Sequence, residues 1–106
     1  MIALAAVVLF AAAAPTGAEG GALPDLIGLE PKAVQALLGE VSLKRWEGSA
    51  QMMQFSDGAC ILDVYFYEEA PGEAFRATFL AARRSSGEAM EPPQCLRALL
   101  AKRAPP

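Results

Sequence analysis

Cys60 and Cys95 carry the most definite chemistry in this 106-residue chain. They are its only cysteines, they form no CxxC, and the chain has no histidine to complete a zinc site or activate a thiolate. In an oxidising compartment two such thiols have one intramolecular pairing, a disulfide that ties the last segment of the chain to its centre. The lack of histidine also removes the commonest general base. Carboxylates crowd one stretch, Asp63, Glu68, Glu69 and Glu73. The last three stand in a Pro-Gly loop where ionised groups solvate, without the spaced oxygen ligands around a tight glycine turn that calcium needs. Asp63 is expected to pair across strands with a base such as Lys44 or Arg76. Ser42, Ser49, Ser56, Ser85 and Ser86 have no GxSxG context, and Gly20-Gly21 is no phosphate loop. The chain therefore reads as a non-enzyme with no catalytic residue, no metal ligand and no cofactor.

The remaining candidates are binding residues. Trp46, the lone tryptophan, lies beside Lys44 and Arg45 and fits either an exposed binding aromatic or a core or sheet-edge position. Met52, Tyr65 and Tyr67 are placed with it as partner-contacting residues, because aromatic and methionine side chains make adaptable interfaces. Met53 and Phe55 share a face and read as core. The basic residues come as short pairs, Lys44-Arg45, Arg83-Arg84 and Lys102-Arg103, in a chain of net charge -3, which offers no phosphate-tracking stripe and makes nucleic acid an unsuitable partner.

Met1 to Ala18 is an uncharged run of apolar and small residues whose apolar part, Ile2 to Ala14, is shorter than the ~20 residues of a membrane span. With Pro15-Thr16-Gly17-Ala18 after it, the run reads as a signal peptide cleaved before Glu19, leaving a periplasmic or secreted protein with no stable membrane span. Glu19 to Leu23 reads as a flexible lead-in, and residues 24–106 as one domain, small enough to need a staple.

Within that domain, Pro31 in the first turn, Val34, Leu37 and Leu38 on one stripe and Gly39 as a stop predict a short helix. Strands are predicted over Leu43–Glu47, Gln51–Phe55, Ala59–Tyr67 and Phe75–Ala82, with turns at Gly48-Ser49 and Asp57-Gly58. In the third strand Cys60, Leu62, Val64 and Phe66 form the core face. In the fourth, simple alternation groups Phe75, Ala77, Phe79 and Ala81. Arg83 to Glu91 is predicted as a loop, and Pro92-Pro93 as the start of a helix carrying Cys95, Leu96, Leu99 and Leu100 on one stripe. The expected fold is α+β, a short N-terminal helix and a C-terminal helix packed on one face of an antiparallel sheet of three to four strands.

The run Leu26-Ile27-Gly28-Leu29-Glu30-Pro31-Lys32-Ala33-Val34-Gln35-Ala36-Leu37-Leu38-Gly39, followed by a strand, Gln51-Met52-Met53-Gln54-Phe55, Asp57-Gly58 and a long strand, resembles the BamE/SmpA-type small outer-membrane assembly lipoproteins. The likeness spans about Leu26 to Tyr67. It implies helical segments on one face of a small antiparallel sheet, an envelope location, and a role in holding envelope components together. No cysteine follows the leader to take a lipid, and Cys60 and Cys95 are not part of that family's pattern. The expectation is a monomeric, exported protein-interaction or envelope-assembly module with an envelope protein as partner; the alternative is a small-ligand-binding or enzyme-inhibitor protein.

Overall fold

The computed structural model describes residues 22–103. The leader and most of the lead-in lie outside the described residues. The order of elements is α1 (Pro31–Leu38), β1 (Leu43–Glu47), β2 (Ala50–Ser56), β3 (Cys60–Glu68), β4 (Phe75–Arg84), β5 (Ala89–Met90) and α2 (Pro92–Arg103). The strands form one antiparallel meander in sequence order, with both helices against the sheet. This is the expected α+β layout with one strand more: β5 is a two-residue bridge to Ala82 and Arg83 inside the stretch expected to be loop.

Local chemistry sets the element ends. Pro31 opens α1, where its missing N–H would have no helical partner, and the Gly39 N–H closes the helix on the Gln35 carbonyl at 2.8 Å. Gly39 has φ +89°, and a Cβ there would lie 3.1 Å from Arg103 Nε, so both its conformation and its close contact favour glycine. Gly48 has φ +63° while Ser49 keeps a negative φ, the pattern of a type II′ turn, and a two-residue hairpin joins β1 to β2.

The helix-facing side of the sheet is the core. Met53 and Phe55 of β2, Cys60, Leu62, Val64 and Phe66 of β3 and Ala77 of β4 are buried there with Leu26, Val34 and Leu38 from the N-terminal segment and α1 and Cys95, Leu96 and Leu99 from α2. Leu23, half-buried, packs against this cluster.

One expectation about faces is corrected. The register passes from Tyr65 opposite Phe79 to Phe66 opposite Ala77, which leaves Thr78 as an extra residue, a β-bulge. Phe75 and Ala77 therefore face the helices together with Leu80 and Ala82, and Phe79 and Ala81 turn to the other side. A one-residue insertion exchanges the two faces of a strand, and alternation alone cannot register it.

Cys60 and Cys95 form the disulfide, with Cα atoms 5.8 Å apart, and join β3 to α2 across 35 positions of sequence. In the chain-entropy treatment a loop of that length stabilises by about 4 kcal/mol. Reduction is expected to lower the melting temperature by more than about 15 °C, measured by circular dichroism with and without reductant. Beside it, the β2–β3 turn is held by Asp57, whose Oδ1 accepts from the Ala59 N–H at 2.8 Å and the Cys60 N–H at 3.0 Å. Lys102 of α2 donates to the Asp57 carbonyl at 3.0 Å, and the Ser85 hydroxyl to the Gly58 carbonyl at 2.7 Å.

The Cys60 N–H, then the Ala59 N–H, hold the Asp57 carboxyl below its ordinary range, with a smaller contribution from the Lys102 charge and a partial offset from burial. A carboxyl depressed in the folded state contributes stability that is complete above its unfolded value and vanishes as pH falls through its folded value. Asp57→Asn is therefore expected to melt below the parent at neutral pH. The two melting temperatures should converge as pH is lowered from about 5 towards about 2.

Candidate functional site

The side of the sheet away from the core carries the chemistry that the core does not consume. Cross-strand pairing sets out its rows: Arg45, Met52, Tyr65 and Phe79 in one, and Leu43, Gln54, Asp63 and Ala81 in the next. The Tyr65 and Phe79 rings meet at 5.6 Å in a tilted contact. Phe79 remains 57% exposed, and Tyr67 and Leu43 are exposed on the same side. The bulge at Thr78 is what brings Phe79 here, so sequence alternation missed it as a surface residue.

The second row is a polar network. Asp63 is 6% exposed, its Oδ1 accepting from Gln54 Nε2 at 2.9 Å and its Oδ2 from an Arg83 guanidinium nitrogen at 2.8 Å. The expected cross-strand pairing thus takes Arg83 as the base in place of Lys44 or Arg76. Lys44 lies on the opposite face, opposite Met53, and Arg76 reaches to the Gly28 carbonyl at 3.1 Å and to Glu30 at 3.7 Å. Arg45 pairs with Glu47 at 2.6 Å. Each arginine of this face therefore has a carboxylate partner. Burial, then the charges of Asp63 and Glu47, push the Tyr65 phenol above its ordinary range.

The four expected contact residues do not form one patch. Tyr65 and Tyr67 lie on the face opposite the helices, the first half-buried and the second exposed. Met52 shares that face but is 1% exposed and presents no surface. Trp46 is on the helix side, at the sheet margin, 60% exposed, its ring 5.5 Å from that of Phe75 in an edge-to-face contact. Trp46 heads the row Gln51, Phe66, Ala77, on the face that also carries Phe75 of β4.

A concavity of about 520 Å³ lies where the two helices end, lined by Leu38, Gly39, Val41, Ser42, Lys102 and Arg103 among others. Its cations are engaged in the fold. Lys102 holds the Asp57 turn, and Arg103 donates to the Ala36 and Leu37 carbonyls at 3.2 and 2.7 Å, capping the C-terminus of α1. Among the described residues no group of three acidic, cysteine or histidine side chains is placed to hold a metal ion, and no helix is long and apolar enough to cross a membrane.

No protein-family model, curated protein or solved structure matches this chain.

Asp63 is the residue on which the polar row depends. Asp63→Ala would leave the Gln54 amide and the Arg83 guanidinium without their acceptor, and a destabilisation of about 2 kcal/mol is expected by urea unfolding. Asp63→Asn, which keeps one acceptor oxygen, is expected to lose about half of that.

Proposed function

We propose that this protein is an exported, non-enzymatic interaction module that meets an envelope protein through the aromatic side chains of its sheet. The observation that carries the reading is the exposed set Phe79, Tyr67 and Leu43 beside Tyr65, rimmed by arginines already paired with carboxylates. An apolar centre with a neutralised polar rim suits a protein surface. A phosphate-rich partner would call for uncompensated cations, which this face does not offer.

The disulfide supports an oxidising compartment and, with it, the signal-peptide reading of the first eighteen residues. The resemblance to BamE/SmpA-type proteins favours an assembly role in the envelope and rests on the stretch from Leu26 to Gly39, on Gln51 to Phe55, and on Asp57-Gly58 with the long strand after it. The small-ligand alternative has less behind it, because the concavity at the helix ends is walled by side chains that hold the fold together.

The test is affinity purification of the C-terminally tagged protein from cross-linked, detergent-solubilised envelopes of its host, with its first residue read by mass spectrometry. A protein starting near Glu19 and a partner lost from Phe79→Ser and Tyr67→Ser variants that remain folded are the expected results. An unprocessed protein, or co-purification indifferent to both substitutions, would overturn the reading.

A further inference from the structure

The two edges of the sheet are treated differently. On the β4 side the outer backbone is covered twice. Gly28 donates to the Ala77 carbonyl and the Ala77 N–H to the Leu29 carbonyl, both at 2.8 Å, and β5 pairs with Ala82 and Arg83 farther along. On the β1 side no described residue pairs with the outer backbone. The type II′ turn fixes which groups are involved. With Glu47 and Ala50 as its hydrogen-bonded closing pair, the alternation of an antiparallel ladder turns the N–H and C=O of Lys44 and Trp46 outward. That gives two donors and two acceptors spaced for one more antiparallel strand.

The side chains beside these groups have a definite chemistry. Lys44 and Trp46 share one face, and Lys44 has no carboxylate partner among the described residues, whereas Arg45 on the other face is neutralised by Glu47. All five residues of β1 are exposed. A charged edge repels a purely apolar strand, which is how sheets resist aggregation, so an incoming strand must answer the lysine.

From this we infer that β1 is a docking strand for an extended segment of a partner protein, added antiparallel, with an apolar residue opposite Trp46 and a carboxylate two residues later opposite Lys44. Backbone bonds to Lys44 and Trp46 supply attachment, and the two side chains select the sequence. The antiparallel direction follows from the greater stability of that ladder per residue, and it places the apolar residue before the acidic one. The five-residue length of β1 matches a short linear segment rather than the large surface of a permanent dimer. This inference rests on the reading of the protein as an interaction module and names the mode and the partner's chemistry.

Trp46 is the only tryptophan, so its fluorescence reports on this edge alone. The probe is a synthetic peptide, Thr-Val-Thr-Phe-Thr-Glu-Thr-Val, titrated against the oxidised protein beside a version with lysine in place of glutamate. A saturable change in Trp46 emission is expected, with the glutamate peptide preferred by about threefold to fivefold and the preference inverted in Lys44→Glu. A peptide N-methylated at its phenylalanine and glutamate amides, which cannot complete the ladder, is expected not to bind. Far-UV circular dichroism and melting of the variant establish that it is folded. Absence of saturable binding, equal binding of both peptides to both proteins, or retained binding of the N-methylated peptide would overturn the inference. So would capture of the Phe79-dependent envelope partner undiminished by Lys44→Glu, a result that leaves the interaction reading intact, whereas loss of that reading shows as the absence of any Phe79-dependent partner.

Discussion

The covalent bond between Cys60 and Cys95 fixes where the terminal helix lies, and much of the packing follows from it. Cys60 is the first residue of β3, the central strand, and Cys95 lies in the first turn of α2. With that point fixed, Leu96 and Leu99 are buried against the sheet and the last turn of α2 is carried to the end of α1. There Arg103 satisfies carbonyls that α1 cannot satisfy itself, while Lys102 holds the Asp57 turn beside Cys60. One end of the domain is thus closed by a covalent bond, a carboxylate turn and two cations.

The opposite end is organised by the bulge. A regular β4 would put Phe75, Ala77, Phe79 and Ala81 on one side and crowd two phenylalanines beneath the helices. The extra Thr78 divides them. Phe75 stays on the helix side, where it meets Trp46, and Phe79 crosses to meet Tyr65. Each face thereby gains one aromatic contact, and the face without helices keeps an exposed ring.

The fold was largely legible in the sequence because its signals are local. Pro31 and Gly39 bracket a helix, Asp57-Gly58 and Gly48-Ser49 mark turns, and the alternation from Cys60 to Phe66 leaves one reading of the central strand. The disulfide was legible from number alone, two cysteines having one partner each. What escaped depends on register between strands. The exposure of Phe79, the burial of Met52 and the choice of Arg83 as partner for Asp63 are all decided by which residues lie opposite one another. The separation of Trp46 from Tyr65 and Tyr67 has the same origin. Trp46 is on the core side because Glu47 and Ala50 close the hairpin, and a turn one residue longer would have placed it with the tyrosines.

The two edges of the sheet differ in what the fold places on them. Covering the β4 edge requires Gly28 and Leu29 to run beside Ala77, and the same segment buries Leu26 in the core, so that edge is closed by residues the fold needs anyway. At the β1 edge nothing comparable happens: the strand follows α1 by a short connection, turns at Gly48 and contributes no residue to the buried core. A five-residue strand that buries so little is held by its ladder to β2 and by side chains at its margins. Such a strand retains its shape while presenting backbone, a cation and an indole to the outside. The stability of the domain is concentrated at the Cys60 end and in β2 to β4, where the buried core residues of the sheet lie.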